Sequence, residues 1–510
     1  MGSNYERGLF NQLQDVMAAF EKLTMEFEQF KAENKREITA LKETHRQELG
    51  QLKASQQQEV ATLEVKIASL EAENTRLKAQ LSKNSGNSSK PPTSDGFKRP
   101  QNSREKSARP SGGQMGHKGN LPILCESPDE VICLNRETCT CGGQVAYTKD
   151  PERRQHVELR VVAHVTEYIA GEGKCLCCGK YFPKQFPKEL PGIVNIGNDA
   201  KAVITLLLNE GAVSVTRTQQ ILRELTEGRM NLSEASILQY QQELSEKIQP
   251  EIDRIRQDLS LAAVLHKDES GVRINGKLHW LHVLCTPETT YYEVHPKRGS
   301  EADKTMDIVT AWNGVLVHDH LRSLYDFPCI HAECNAHVLR YLKGVYEHDK
   351  NFAPFAQSLQ ELFKEMNNRR KELIENGQTS FPLKELLMLQ QRYDSILTAW
   401  NALTRSKEAE RKMKGHKYKS DAEPLGKRLS EYKEQHLLFL EDFRVPFENN
   451  QAERDIRPVK TKLKVSGGFR SQHGADAYAR IRSFISTLRK RKQNIFLALR
   501  SAFSGPPSLG

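Results

Sequence analysis

Residues 5–83 contain no proline and only two glycines, and their apolar residues recur at alternating steps of four and three. Leu9, Leu13, Val16, Phe20, Leu23, Phe27 and Phe30 form one seam. It weakens between about Asn34 and Gln58, where Ile38, Leu41, Leu49 and Leu52 fall out of strict register. It returns as Val60, Leu63, Ile67, Leu70, Asn74, Leu77 and Leu81. A run of this kind can be little else than one long helix with an apolar stripe. Val60 and Ile67 occupy a positions, leucines occupy d, and Asn74 stands at a further a position. That pattern favours a parallel two-stranded coil whose register the buried Asn fixes at some cost in stability. A helix packed on its own protein is the alternative, but the flanking positions are too charged for a buried helix.

After the coil the composition changes. Residues 84–120 begin Asn-Ser-Gly-Asn-Ser-Ser-Lys-Pro-Pro-Thr-Ser-Asp-Gly and carry seven Lys or Arg against two acids. They are expected to be a basic flexible linker, too polar to build a core. Such a segment either tethers or orders along a phosphate backbone. Of ten cysteines, seven lie between Cys125 and Cys178. Clustering of this sort fits a metal site in a reducing compartment better than a disulfide framework. Residues 121–195 therefore read as a zinc-binding module. Cys139-Thr-Cys141-Gly142 and Cys175-Leu-Cys177-Cys178-Gly179 form two Cys-Gly knuckles joined by a β-patterned stretch around Val157 to Val165. Cys139, Cys141, Cys175 and Cys178 are the candidate ligands of a structural Zn²⁺. The first knuckle has one residue between its cysteines where two are usual, so Cys133 or Cys177 remains an alternative ligand.

Residues 196–255 read as a helical segment that suits either a helix-turn-helix-like DNA-binding unit or any small bundle. Ala202–Leu208 and Thr218–Leu225 are helical, and Ser233 caps a third helix running through Tyr240 to Ile248. From 256 to 345 the pattern mixes strands and helices. Strands are expected at Leu261–His266, Leu278–Cys285, Thr290–Val294 and Val315–Val317, and helices at Ala302–Trp312 and Asn335–Val345. This is the layout of a ribonuclease-H-like core. Residues 346–440 are polar and helical and read as an insertion. Residues 441–510 complete the core with basic C-terminal helices, the first starting near Asn449. The fold class expected is multidomain α+β.

Three carboxylates carry the chemistry. Asp268 follows the apolar run Leu261-Ala-Ala-Val-Leu265, and Asp319 ends Gly314-Val-Leu-Val-His-Asp319. Glu453 lies in the helical phrase Phe447-Glu-Asn-Asn-Gln-Ala-Glu-Arg454. Two strand-end aspartates and a later helical glutamate can converge on two Mg²⁺ (or Mn²⁺) ions for phosphoryl transfer. Asp268 is the candidate bridging ligand. Glu269 adjoins it and points to the opposite face of a strand. Asn450, Glu453 and Arg457 share one helix face. Asn450 either steadies the carboxylate or touches DNA, and Arg457 either offsets its charge or binds phosphate. Each acid alone has an ordinary alternative as a solvated or capping residue. Cys334, His337 and Arg340 also share a helix face. They lack a second pair of metal ligands, so packing or DNA positioning is favoured over zinc.

Charge distribution fits a nucleic-acid partner. The net charge is +10, and from Arg454 onward 13 Lys or Arg stand against two Asp. The basic surface is thus concentrated in the C-terminal segment, where it suits a polyanion or forms a solvated face. No apolar run approaches the ~18 residues of a membrane span, and the first residues lack a signal-peptide core.

The chain resembles the insertion sequence 66 family of bacterial transposases along nearly all of its length. Ser85-Gly-Asn-Ser-Ser-Lys-Pro-Pro-Thr-Ser-Asp95 and Gly112-Gly-Gln-Met-Gly-His-Lys-Gly119 match characteristic stretches ahead of the zinc-binding module. Asp268-Glu-Ser-Gly271 looks like the block around the first catalytic aspartate, and Val317-His-Asp319 with Tyr325 like the second. His331-Ala-Glu-Cys334 with His337 and Arg340 resembles a Cys-His-Arg helix. Asn449-Asn-Gln-Ala-Glu453-Arg454 with Arg457-Pro458 resembles the third catalytic block. The chain departs from the pattern at Ser270 (usually Thr), at Asn335 (often aromatic) and in the short first knuckle. The resemblance implies a DDE-type transposase that binds element ends and catalyses Mg-dependent cleavage and strand transfer of double-stranded DNA. It implies a cytoplasmic, nucleoid-associated protein. Homodimers or larger assemblies would form through the coil, and Asn450, Arg454, Arg457, Lys460, Lys462, Lys464 and Arg470 would line the DNA. The competing reading is a catalytically inactive, dimeric, zinc-containing DNA-binding regulator.

Overall fold

The structure, a computed structural model, describes residues 3–88, 124–134, 136–146, 152–159, 161–414 and 420–505. The phrase Gly112–Gly119 and the rest of 89–123 lie outside them. Two compact units are distinguished: Met1–Lys83 with Ala399–Pro424, and Asn84–Thr398 with Leu425–Gly510.

In the first unit, α1 is one uninterrupted helix, Ser3–Ser82. Its seam residues stand open to solvent; Phe20 is 70% exposed. The second segment of this unit is pinned by Trp400, wholly buried, whose indole N–H donates to the Ala422 carbonyl at 3.0 Å.

The second unit holds the sheet. A small hairpin, β1 (Gly173–Lys174) and β2 (Tyr181–Phe182), is followed by four helices: α2 (Asn198–Asn209), α3 (Val215–Leu225), α4 (Glu234–Lys247) and α5 (Gln249–Ser260). Ser233 caps α4 by accepting from the Ser236 N–H at 3.0 Å. Then come β3 (Val264–Ile274), β4 (Lys277–Cys285), β5 (Thr290–His295), the short α6 (Ser300–Met306), β6 (Val315–His318) and β7 (Ile330–Glu333). Asn275 and Gly276 both take positive φ, the geometry a two-residue hairpin requires between β3 and β4. The sheet order is β5-β4-β3-β6-β7. The first three strands are antiparallel, and β3-β6 and β6-β7 are parallel.

Helices follow: α7 (Asn335–His348), α8 (Ala353–Glu375), α9 (Leu383–Lys414), α10 (Ala422–Glu431), α11 (Lys433–Glu441), α12 (Asn450–Ser466), α13 (Gln472–Lys490) and α14 (Ile495–Ser504). One sheet face buries Leu265, Leu284 and Leu316 against α4, α5, α13 and α14. The other buries Val272, Val283 and Tyr292 against Ala452, Ile456 and Val459 of α12. Ile456 is wholly buried, and such a side chain is worth roughly 1.5–3 kcal/mol once removed from water. That packing fixes α12 on the sheet. The outer edge of β5 is closed by α13, whose Ser483 and Thr487 hydroxyls accept from the Tyr292 and Thr290 N–H groups at 2.8 and 3.1 Å.

Several elements differ from expectation. Leu261 caps α5, so the first strand begins at Val264 and continues past Asp268. The helix expected over Ala302–Trp312 stops at Met306, where Asp307 turns into the left-handed region at φ 51°. β7 was not foreseen: four residues carrying His331 and Glu333 give no strand signal. No strand forms among the described residues around Val157 to Val165; Val157 and Leu159 are nearly fully exposed, with no partner strand to pair them. The first residues after α1 are packed rather than free. Asn87 is buried, donates to Glu347 Oε2 at 2.7 Å, and brings its carbonyl against Gly344, where any Cβ would lie 2.4 Å away.

Candidate active site

The parallel ladder of β3 and β6 pairs Val264 with Val315 and His266 with Val317. Two residues further on, the same register sets Asp268 level with Asp319. Asp268 lies inside β3, opposite Val283, and shares the sheet face covered by α12. Asp319 is the first residue beyond β6. Glu453 sits in the first turn of α12, where the helix dipole favours a negative charge. The three acids thus arrive at one end of the sheet from three elements.

Their electrostatics record this crowding. Burial first, then the charge of Asp319, push the Asp268 carboxyl up to about 7; Glu453 adds to the rise and Lys460 opposes it. Asp319 keeps 39% of its side chain open. Even so, crowding by protein, then the charge of Glu453, raise it to about 6, against the pull of Arg340 and Arg428. Arg340 Nη2 lies 3.9 Å from Glu453 Oε1, and His337 Nδ1 lies 3.4 Å from Asp319 Oδ1. Two aspartates whose carboxyls are raised by burial and by neighbouring carboxylate charge, beside a third acid, suit divalent ions.

Asn449, whose side chain the sequence motif gives no role, ties the three elements together. It is wholly buried. Its Nδ2 donates to the Lys267 carbonyl at 2.7 Å, and its Oδ1 pairs with His266 Nδ1 at 2.9 Å. Its N–H donates to Cys334 Sγ at 3.2 Å, and its carbonyl accepts from the Glu453 N–H at 3.2 Å. One side chain and its peptide thereby join β3 beside Asp268, the start of α7, and the turn that carries Glu453. Asn335 is buried as well and donates to the His436 carbonyl at 2.9 Å.

Glu269 does face away from Asp268, toward His282 (3.5 Å) and Arg298. Beside it Lys267 and Asp303 form a fully buried ion pair. Glu333 on β7 is a second hub that the sequence did not reveal. It accepts from Tyr325 and Arg428 (the latter at 2.5 Å) and pairs with His320. Burial alone would raise the Glu333 carboxyl, but the His320 bond and the charges around it hold it well below the usual range. His320, at φ 40°, follows Asp319 directly and stacks edge-on against Tyr432 at 4.7 Å. The backbone bearing Asp319 is therefore braced by side chains from α10 and the turn after it.

Asp319, Cys334 and His337 place one ligand atom each within 4.8 Å of one another, the one such group among the described residues. The third ligand that Cys334 and His337 lacked in the sequence is supplied by the fold. The four expected zinc thiols are not gathered in this way, but each knuckle is formed. Cys139 and Gly143 close one turn (N–H to carbonyl, 2.8 Å) with Gly142 at φ 87°. Cys175 and Lys180 close the other (2.8 Å) with Gly179 at φ 73°. Backbone N–H groups of Cys141 and Cys178 aim at Cys139 and Cys175 and lower their thiol pKa values.

Of the candidate DNA contacts, Asn450, Arg454, Arg457, Lys460, Lys464 and Arg470 are exposed. Lys462 instead turns inward, over the Tyr478 and Phe469 rings at 5.1 and 5.7 Å, and burial lowers its pKa.

The model of the transposase IS66 family matches residues 195–477. A family of unknown function (DUF6444) matches residues 26–121. No curated protein matches the chain. The IS66 match spans the sheet, all three acids and more than half of the chain, so the chain belongs to the IS66 family of transposases.

Proposed function

We propose that this transposase cleaves element ends and transfers strands by two-metal phosphoryl transfer at Asp268, Asp319 and Glu453. The observation that carries this reading is their convergence from β3, β6 and α12 at one end of the sheet. The strand order, three antiparallel strands followed by two parallel ones, supports a ribonuclease-H-like core. When bound, a pair of Mg²⁺ ions activates the attacking hydroxyl and stabilises the leaving oxygen. Asp268, Asp319 and Glu453 would hold the ions, with Asp268, on the central strand, as the candidate shared ligand. Asn449 keeps the three carboxylates in register, and Arg340 and Lys460 temper their charge. Arg454, Arg457, Lys460, Lys464 and Arg470 follow the phosphates. The four knuckle thiols close on a structural Zn²⁺. Two α1 helices pair along their open seams and bring two element ends into one complex. Among the described residues, no helix is long and apolar enough to cross a membrane.

The test is incubation of the purified chain with a strand-labelled duplex carrying an end of its element, with Mg²⁺. Defined nicks at the end are expected. Asp268→Asn and Glu453→Gln should lose them by more than about a hundredfold, beyond the loss typical of disturbing an outer-shell residue, while still binding the duplex. Variants that nick at the wild-type rate would refute the assignment. Binding without nicking by the wild type, across metals and ends, would return the chain to the regulator reading.

A further inference from the structure

Cys334 and His337 are odd neighbours for a magnesium site. Mg²⁺ takes oxygen ligands, whereas thiolate and imidazole select zinc and its late-transition-metal relatives. Yet the fold turns both side chains toward Asp319. Cys334 is the residue before α7, and His337 lies three residues on, in the first turn. Their ligand atoms and an Asp319 oxygen lie within 4.8 Å of one another. His337 Nδ1 stands 3.4 Å from Asp319 Oδ1. Tetrahedral zinc, with bonds of about 2.0–2.1 Å, sets its nitrogen and oxygen ligands about 3.3–3.4 Å apart. Two further observations point to a ligand. His337 Nδ1 is buried and makes no hydrogen bond, a state that buried polar atoms rarely keep. Cys334 Sγ accepts the Asn449 N–H at 3.2 Å, the kind of outer bond that orients a metal ligand.

We propose that Asp319, Cys334 and His337 form a separate Zn²⁺ site, whose occupation withdraws Asp319 from the acid trio and stops DNA cleavage. The three protein ligands leave a fourth position for water. Zinc and the magnesium pair compete for the orientation of one carboxylate, because zinc holds Asp319 toward Cys334 and His337. The inhibitory half of the proposal rests on the phosphoryl-transfer reading; the binding half does not.

Two measurements on the full chain test it. The first is zinc content after equilibration with Zn²⁺ and removal of free metal. Cys334→Ser keeps an acceptor for the Asn449 N–H but is a poor zinc ligand, and His337→Gln removes the imidazole. Each variant should hold about one zinc fewer per chain than the wild type, the knuckle zinc being common to all. Equal zinc in all three proteins would overturn the site. The second is cleavage in excess Mg²⁺ with and without added Zn²⁺, each protein compared with its own zinc-free rate. Zinc should slow the wild type about tenfold or more and both variants far less. Equal inhibition of all three would overturn the competition. A wild type that never cleaves would sink the transposase mechanism, and the zinc content would still decide the site.

Discussion

On the proposed function the acid cleft and the cysteine knuckles both hold metal, and the fold prepares them in opposite ways. Asp268, Asp319 and Glu453 are borne by backbone that the fold has already fixed. β3 and β6 are central strands, α12 is sealed down by Ile456 and Val459, and Asn449 bonds across the junction. Cys139, Cys141, Cys177 and Cys178 are exposed, and Leu176 and Ile193 of the same segment lie fully open to solvent. Each knuckle is shaped locally by its glycine and its N–H bonds, but among the described residues no buried core draws the two together. In the cleft the protein supplies the geometry and the metal relieves its charge. In the knuckles, on the same reading, the metal itself would supply the fold.

The largest effect that separates the two is metal removal. Chelation should turn Cys139, Cys141, Cys175 and Cys178 from protected to freely alkylated, because structural zinc contributes roughly 10–16 kcal/mol in small modules. The melting of the sheet should barely move. Thiol labelling and calorimetry on one sample check this, and a sheet that melts with the knuckles would erase the contrast.

Asn449→Ala should come next. It strips partners from the Lys267 carbonyl and His266 Nδ1, at a cost of about 1–3 kcal/mol for each buried group left unpaired. Cleavage should fall about 10–100-fold, with part recovered at higher Mg²⁺, since the change loosens the ligands without removing any. Unchanged cleavage and Mg²⁺ dependence would show that the packing of α12 alone holds Glu453.

These expectations also show which parts of the molecule were legible in the sequence. Long-period patterns read well: the seam of α1, the Ser233 cap and the apolar runs of β4 and β5. Asp268, Asp319 and Glu453 stood out because each follows an apolar strand or heads an amphipathic helix. Asn449 and Glu333 did not, because their roles depend on partners far along the chain: Lys267 for one, Arg428 for the other. β7 was hidden by its length and its two polar residues. Lys462 read as one more basic residue in a basic helix, and only the packing of Phe469 and Tyr478 shows that it faces inward.

A smaller effect is pH. With Asp268 at about 7 and Asp319 at about 6, both above the usual value of about 4, the metal-free fold binds protons more tightly than the unfolded chain. Their contribution is therefore complete below about pH 4 and is lost as pH rises through 6 and 7. Buried His282 and His318, both held down to about 3 mainly by burial, act in the other direction between about 3 and 6.5. The readout is thus a difference. Asp268→Asn should gain melting temperature over the wild type as pH rises from 5 to 8 (about the span of its titration), and Mg²⁺ should shrink the gap. A gap that does not change with pH would mean that the acids are not crowded.

The smallest effect separates two cations of α12. Arg457→Ala should weaken DNA binding uniformly and flatten the salt dependence by about 0.9 in log–log slope, as for one lost phosphate contact. Lys462→Ala should leave the slope alone. Equal slopes would place both residues on the same side of the helix.

The central claim is that two divalent ions sit among Asp268, Asp319 and Glu453. It is tested most directly by anomalous scattering from Mn²⁺ in crystals of the DNA-bound protein. The account predicts two peaks about 3.5–4 Å apart, with Asp268 touching both and Asp319 and Glu453 one each. A DNA-bound structure with Glu453 turned away and no metal between the aspartates would contradict it.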